Sequence, residues 1–293
     1  MPLKKLQLKA GVNRENTRYT SEGGWYECDK VRFRQGTPEK IGGWQRISTS
    51  VFDGVCRSLW NWVTLSSQNL VGVGTNLKFY IEQGGLYYNI TPIRATNPLT
   101  NPFTTVSGSA TVTVTDAAGG YTLGDFVTFS NASAVGGLTL NGEFQIQTVA
   151  SGSYTITASS TASSAATGGG TVTAVYQINV GPAQATPLVG WGASTWGSGA
   201  WSTGASTRES IRIWSQANFG EDLLFSHADG PIYFWDASGG VSSVGVELST
   251  LSGASNVPTT QKFVLVSDIN RFVFCFGANT LGSATQNPML IRW

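Results

Sequence analysis

The chain repeats one pattern of three short strand-like segments three times. The first triplet is SLWNWVTL, NLVGVGT and GLYYNIT, beginning at Ser58, Asn69 and Gly85. The second is SIRIWS, DLLFSHA and PIYFWDA, and the third is KFVLVS, RFVFCFGA and MLIRW. β-Branched and aromatic residues dominate each segment, and Gly, Asn, Asp or Pro bounds it, as is typical of β-strands. A recurring strand triplet predicts propeller-like blades, and a closed propeller needs more blades than this chain contains.

Surface charge is scarce in this sequence. Charged residues make up 12% of the 293 residues, against about 25% in typical soluble domains. One interpretation is a Ser/Thr-rich β protein that uses hydroxyl groups for solubility. The other, which we favour, is an obligate assembly whose subunits cover much of one another's surface, because few charges and many aromatic side chains mark interface cores. We therefore expect a homo-oligomer.

The N-terminal arm, residues 1–50, differs in charge from the rest of the chain. Residues 1–46 carry ten of the 18 Lys and Arg residues and five of the 17 acidic residues. A basic arm suits phosphate groups, and its interspersed acids suit an acidic protein neighbour equally well. In the segment VRFR, arginines alternate with Val31 and Phe33, which predicts a strand with one charged and one apolar face. A solvated strand face is one interpretation; the other is a subunit or adaptor interface, whose candidate residues are Trp25, Arg32, Arg34 and Trp44.

Composition changes between Asn97 and Thr173, where Thr, Ser, Ala and Gly dominate. Segments such as ATVTVTD and GSYTITAS alternate polar and apolar residues with the period of a strand. We therefore predict a small β-domain at 97–173, inserted into a propeller-like body formed by 51–96 and 174–293. Insertions of this kind are tolerated at exposed loop tips. Because no segment has a helical period, the predicted fold class is all-β.

A glycine-rich stretch, GWGASTWGSGAWSTG, contains three evenly spaced tryptophans: Trp191, Trp196 and Trp201. One interpretation is a stacking platform for sugars or bases, because Trp offers a flat apolar face with a polar edge. The other, which we favour, is aromatic packing against the body or against a neighbouring subunit.

Recognisable catalytic motifs do not occur in the sequence. His227 is the only histidine, and no GxSxG, HExxH or Walker motif is present. The segment SHADGPIYFW approaches the glycosidase Asp box SxDxGxTW, but Asp229 lies one position late. Cys28, Cys56 and Cys275 are far apart, which argues against a disulfide framework and a zinc site. We expect no enzymatic activity, no cofactor, no metal ion and no small-molecule substrate.

Several longer segments together resemble a known family. GGWYECDKVRFR and GTPEKIGGW, followed further on by RIWSQANFGEDLL, YFWDAS and NPMLIRW, are similar to tail nozzle proteins of short-tailed bacteriophages. These proteins are also described as tail hub or head-stabilisation proteins. The resemblance covers the arm and both parts of the propeller-like body, whereas the inserted domain looks like an accessory β module.

The resemblance implies a structural component of the virion. Similar proteins form a hexameric ring at the distal end of the tail, and its channel conducts double-stranded DNA during ejection. They bind an adaptor, or head-to-tail connector, protein through their N-terminal part, and they contact tail fibres or spikes. We expect a tail protein assembled in the host cytoplasm, which fits the lack of an apolar run suited to a signal peptide or a membrane helix. The unfinished third triplet is expected to mark a fragment or shortened version of a longer protein, and a lectin-like carbohydrate-binding propeller is the alternative function.

Overall fold

The computed structural model describes residues 9–15, 17–20, 22–43, 45–46, 48–181, 211 and 213–293. It divides the chain into two compact units, one ending at Thr49 and one beginning at Ser50. The prediction of an all-β fold is confirmed, because these residues form antiparallel sheets and no α-helix. Among them, no helix has the length and apolar character needed to cross a membrane.

The first unit contains a two-stranded hairpin, β1 (Val31–Arg34) and β2 (Thr37–Lys40). The turn between the strands consists of Gln35 and Gly36, whose φ angles are 49° and 81°. A tight two-residue hairpin turn requires this left-handed conformation, which glycine adopts without steric cost. The turn therefore fixes the register in which Arg34 pairs with Thr37.

The described strands of the second unit form three meander sheets and one inserted sandwich. In chain order they are β3 (Cys56–Val63), β4 (Asn69–Thr75), β5 (Phe79–Gln83), β6 (Leu86–Asn89), β7 (Ile93–Thr100), β8 (Phe103–Thr105), β9 (Thr111–Thr115), β10 (Phe126–Ser130), β11 (Gly142–Gln145), β12 (Thr148–Ala150), β13 (Ser153–Thr157), β14 (Ala166–Gly168), β15 (Thr171–Gln177), β16 (Trp214–Phe219), β17 (Asp222–His227), β18 (Tyr233–Trp235), β19 (Val246–Glu247), β20 (Phe263–Val266), β21 (Val273–Phe276) and β22 (Ile291–Arg292). The first sheet is β3-β4-β5-β6, the second is β16-β17-β18-β19 and the third is β20-β21-β22. Strands that are consecutive in sequence are neighbours in each sheet, which is the arrangement of a propeller blade.

The first two sheets have four strands instead of the predicted three. The additional strand of the first sheet is β5, whose apolar residues lie between the charged residues Lys78 and Glu82. The additional strand of the second sheet is β19 (Val246–Glu247). The first strand of that sheet, β16, begins only at Trp214, near the end of the predicted segment SIRIWS, and runs through the polar sequence WSQANF. This sequence lacks apolar alternation because its polar side chains are hydrogen-bonded between two sheets: Gln216 Nε2 donates to Ser58 Oγ, and Ser215 Oγ accepts from the backbone N–H of Val264.

The three meander sheets stack face to face. Between the first and second sheets, the ring centroid of Phe79 lies 4.2 Å from that of Phe225 and 4.9 Å from that of Trp214. Fully burying one such phenylalanine contributes about 1.5–3 kcal/mol to the free energy of unfolding. The opposite face of the second sheet packs against the third sheet through a separate cluster: Ala217, Leu224, Ile232, Val264, Val266, Cys275 and Ala278.

Residues between the first and second sheets form a β-sandwich with its own core. One layer is the four-stranded sheet β11-β10-β15-β7, and the other is the five-stranded sheet β12-β13-β9-β8-β14. The polar–apolar alternation of TVTVT in β9 turns Val112 and Val114 inward and the threonines outward. Phe103 and Phe129 meet edge to face at 5.0 Å within this core. Strands β7 and β15, which pair with each other, connect the sandwich to the meander sheets.

A buried polar cluster lies inside the sandwich around Asp116, whose side chain is almost inaccessible. Tyr176 donates from its hydroxyl to Asp116 Oδ2 at 2.7 Å, and Asn97 Nδ2 donates to the same oxygen at 2.9 Å. The hydroxyl oxygens of Tyr154 and Tyr176 are 2.8 Å apart. Burial is the largest cause that raises the pKa of both tyrosines above the ordinary value, and the neighbouring Asp116 carboxylate raises it further.

These tyrosines predict that the second unit loses stability at alkaline pH. Their pKa is raised in the folded chain, so the unfolded chain releases protons first, from about pH 10, and the free energy of unfolding falls as the pH rises beyond that value. Burial also raises the pKa of the Cys275 thiol to about 11, which adds to the loss above about pH 9. Urea denaturation at pH 8 and at pH 10.5 measures the difference. Tyr154→Phe removes one ionising group and should make this loss smaller; equal stability of the unsubstituted chain at both pH values contradicts the prediction.

Candidate functional site

The charged face predicted for the N-terminal unit lies on the hairpin. Val31 and Phe33 are half-buried, whereas Arg32 and Arg34 are exposed. Arg32 binds Glu39 of the paired strand, with Nη2 3.1 Å from Oε2. The ring of Trp25 meets that of Phe33 edge to face at 6.2 Å, so the apolar side of the hairpin is covered within the unit and the arginine side faces outward.

A second basic group in the same unit lies around Tyr26. The guanidinium carbons of Arg18 and Arg14 lie 4.8 and 5.6 Å from the centroid of the Tyr26 ring. Arg14 also forms an ion pair with Glu27 at 3.4 Å. Cation–π contacts at exposed positions contribute about 0.5–1 kcal/mol each, so they orient these arginines without burying their charge.

The predicted aromatic sites fall mostly outside the described residues. The structure does not describe four of them: Trp44, Trp191, Trp196 and Trp201. Trp25 is half-buried, and its backbone bridges that of Val12. Its indole Nε1 is buried and has no hydrogen-bond partner within the described part of the chain.

A cleft of about 530 Å³ opens where the sandwich joins the second sheet. Arg94 and Asn179 line it from the sandwich side, and His227, Asp229 and Glu247 line it from the side of the second sheet. Apolar side chains, including Ile93, Ile178, Tyr233, Val244 and Val246, form the rest of the wall. Sequence reasoning missed this cleft, because its two walls are more than 30 residues apart along the chain and no motif marks them.

His227 is a buried residue at the end of β17. Its ring lies edge to face with Trp214 at 5.5 Å, and its backbone pairs with that of Trp214. A side chain at Gly230 would collide with the imidazole, so Gly230 allows the turn to close over it. Within the described residues, no three His, Cys, Asp or Glu side chains are placed to hold a metal ion.

Two carboxylates of the sandwich form ion pairs with basic side chains close to the junction with the meander sheets. Asp125, whose side chain is fully buried, accepts from Arg94 Nη2 at 3.0 Å and from Asn179 Nδ2 at 2.7 Å. Glu143 forms an ion pair with Lys78 of the first sheet, and Glu143 Oε1 accepts from Gln177 Nε2 at 2.9 Å. Of these contacts, the Lys78–Glu143 ion pair joins the sandwich to the first sheet.

Comparison with known proteins gives little further information. No protein-family model matches the chain, and no curated protein matches it. A solved structure that is similar to part of it is a phage phi92 endosialidase, with 16% identity, a TM-score of 0.27 and 85% of this chain covered. The chain spans only 37% of the length of that protein. A TM-score of 0.27 does not establish a shared fold.

Proposed function

We propose that the protein is a structural subunit of a short phage tail, located in the nozzle ring at its distal end. In this role it forms part of the DNA ejection channel and a platform for adaptor and fibre attachment, without enzymatic activity. The proposal comes from the resemblance of the segments around Trp25 and the terminal NPMLIRW to nozzle proteins. It implies a hexameric ring, an adaptor bound through the N-terminal unit, and transient passage of double-stranded DNA.

The observation that best supports a role in an assembly is the exposed apolar surface at both ends of the sheet stack. On β3, the edge strand of the first sheet, Leu59 and Val63 are 66% and 60% exposed. On the third sheet, Phe263 and Ile291 are 47% and 48% exposed. Single exposed apolar residues are normal, whereas grouped ones mark contact surfaces. Together with a charged fraction of 12%, this surface suits a subunit that is covered by neighbours.

Electron microscopy tests the proposed location. We expect an antibody raised against the inserted sandwich to label the distal end of the tail in negatively stained particles, and the purified protein to form sixfold rings. Particles from a strain that lacks the protein serve as the labelling control. Labelling of the capsid alone, or a purified monomer that binds glycans in an array, contradicts the proposal.

The exposed arginines of the hairpin predict an effect on assembly. Arg32→Ala together with Arg34→Ala should reduce ring or adaptor binding, because both side chains face outward and only Arg32 has an ion-pair partner within the hairpin. Analytical ultracentrifugation with and without the adaptor measures the change. Lys30→Ala, immediately before β1, together with Lys40→Ala at the end of β2, removes the same net charge and serves as the control. Unchanged assembly of the arginine variant indicates an ordinary solvated face.

A further inference from the structure

The stack of three meander sheets ends in two faces that point in opposite directions. On the first sheet, Ser58, Trp60 and Trp62 of β3 contact the second sheet through hydrogen bonds. Because successive residues of a strand point to opposite faces, Leu59 and Val63 point away from the stack. We call this side the outer face of the first sheet.

The third sheet forms the other end of the stack. Val264 and Cys275 pair across β20 and β21, and both are buried against the second sheet. The alternate residues point away from the stack, and strand pairing joins them into one group, the outer face of the third sheet: Phe263, Leu265, Phe274, Phe276 and Ile291. The second sheet lies between the two outer faces, so they are on opposite sides of the unit.

Both outer faces expose apolar side chains to solvent. Leu59 and Val63 are 66% and 60% exposed, and Phe263, Leu265 and Ile291 are 47%, 42% and 48% exposed. An antiparallel sheet with one solvated face normally carries polar residues on that side. These positions carry apolar residues instead, which is the pattern of sheet faces that are packed.

The two outer faces differ in the size of their side chains. The outer face of the third sheet is mainly aromatic, and the rings of Phe263 and Phe276 are 6.1 Å apart. The outer face of the first sheet is aliphatic along β3. On its β5–β6 side lies Phe52, whose ring is 5.0 Å from that of Tyr87. The part of this face that is open to a partner is therefore the β3 side.

The contact between the first and second sheets shows how large and small side chains fit together in this stack. The second sheet contributes the rings of Trp214 and Phe225. The first sheet contributes Gly74, where a Cβ would lie 2.6 Å from Cγ of Trp214. The aromatic outer face of the third sheet and the aliphatic β3 side of the first sheet suit the same kind of packing.

A ring of identical subunits requires two different contact surfaces on each subunit, because its contacts run head to tail. The two outer faces meet this requirement, since they differ in side chains and lie on opposite sides of the unit. Pairing of two copies through the same face would cover one outer face and leave the other exposed in both copies. A head-to-tail contact covers both outer faces in every copy of a closed ring.

We propose that the outer face of the third sheet binds the β3 side of the first sheet in a second copy of this chain. The spacing between the two sheets is then about 10 Å, as in other face-to-face sheet packings. The inference rests on the proposed ring of identical subunits and names the surfaces that form its subunit contact.

Chemical cross-linking between two different single-site variants tests this contact. Both carry Cys28→Ser and Cys56→Ser, which leaves the buried Cys275. One also carries Leu59→Cys and the other Leu265→Cys, and the two are mixed and treated with a bismaleimide that spans about 10 Å. We expect a cross-linked pair in the mixture and several-fold less in either variant alone. Leu123→Cys on the sandwich, 67% exposed, replaces Leu59→Cys as the control and should give no pair.

Two results separate this contact from the proposed function. Assembly into sixfold rings without a cross-link in the mixture shows that the subunits meet elsewhere, which overturns the contact and leaves the nozzle proposal intact. A chain that carries both Leu59→Cys and Leu265→Cys should give a ladder of cross-linked species that ends at six copies. A ladder that ends at another number supports the head-to-tail contact and contradicts the sixfold ring.

The remaining outcomes concern the faces themselves. Cross-linking in the Leu265→Cys variant alone shows that two third sheets pair with each other, which overturns the proposal. A monomer at every protein concentration contradicts both the contact and the ring. Leu265→Asp should weaken assembly several-fold in analytical ultracentrifugation, whereas Leu123→Asp should not. Unchanged assembly of the Leu265→Asp variant also overturns the proposal.

Discussion

Replacing Glu143 by Gln and Asp53 by Asn in the same chain is expected to lower the free energy of unfolding of the second unit by about 3–5 kcal/mol. The physical reason is the position of Lys78, whose side chain is only 3% exposed. Its Nζ lies 3.0 Å from Asp53 Oδ2, contacts Glu143 Oε2 and sits 4.3 Å from the centroid of the Phe126 ring. Without the two carboxylates, a buried ammonium group remains with no counter-ion.

The loss of stability should be much smaller when the lysine is removed than when its two carboxylate partners are removed. Lys78→Met removes the buried charge, and the carboxylates of Asp53 and Glu143 keep water because they are 61% and 31% exposed. A methionine in this position retains contact with Phe126 and leaves no buried charge. We therefore expect Lys78→Met to cost less than the double carboxylate variant, and the triple variant to recover part of the lost stability.

Urea denaturation followed by tryptophan fluorescence measures all of these variants. Lys262→Met is a matched control in the same unit, because its ion pair with Asp229, at 2.7 Å, is 46% exposed on the lysine side. An exposed pair of this kind contributes about 0–1 kcal/mol. Equal losses for Lys78→Met and for the double carboxylate variant contradict the burial argument, and so does a loss in the control as large as in the double variant.

The sequence indicates the importance of Glu143 indirectly, through the scarcity of charged residues around it. Residues 97–173 contain only three charged side chains, Asp116, Asp125 and Glu143. In the structure each has a specific partner: Tyr176, Arg94 and Lys78, respectively. In a domain whose other polar side chains are mostly hydroxyl groups, a carboxylate is therefore a candidate for a buried hydrogen bond or ion pair. The partner itself is not predictable, because Lys78 and Glu143 are brought together by tertiary packing.

The strands were predictable where one face of a sheet dictates the pattern. The alternation of TVTVT in β9 and the run NLVGVGT in β4 both appear as strands with the expected bounds. The strand WSQANF was not predictable from its pattern, because it lies between two sheets and its polar side chains find partners on each of them. Strand prediction from alternating residues assumes that one face of the strand is apolar and the other faces solvent. A strand that lies between two packed sheets does not meet that assumption.

Exposed surfaces that span several strands were the hardest feature to predict from the sequence. Arg32 and Arg34 could be placed on an exposed strand face from their alternation with Val31 and Phe33. The apolar residues that the third sheet exposes to solvent could be grouped only once the strand pairing was known, because Phe263, Phe276 and Ile291 come from three strands. A contact surface formed across strands leaves no local motif, and its apolar residues look like ordinary core residues in the sequence.

Gly74→Ala is expected to lower the free energy of unfolding by about 1–3 kcal/mol, through overpacking between the first and second sheets. A Cβ at this position would lie 2.6 Å from Cγ of Trp214 and 2.9 Å from Oγ of Ser58. The Trp214 ring has little freedom to withdraw, because its Nε1 donates to the carbonyl oxygen of Thr75 at 2.6 Å and its other side contacts Phe79 and Phe225. The requirement for glycine is therefore a matter of space between the sheets.

The midpoint of urea unfolding measures this loss, and Gly168→Ala in β14 is the matched control. A Cβ at Gly168 would meet only methyl groups of Val135, the nearest at 3.4 Å, which is close to ordinary contact. Combining Gly74→Ala with Trp214→Phe should give a smaller loss than the sum of the two single losses, since the shorter ring leaves room for the added methyl group and residues in contact are not additive. A neutral Gly74→Ala variant, or strict additivity with Trp214→Phe, would show that the two sheets are not held at the close distance on which their stacking depends.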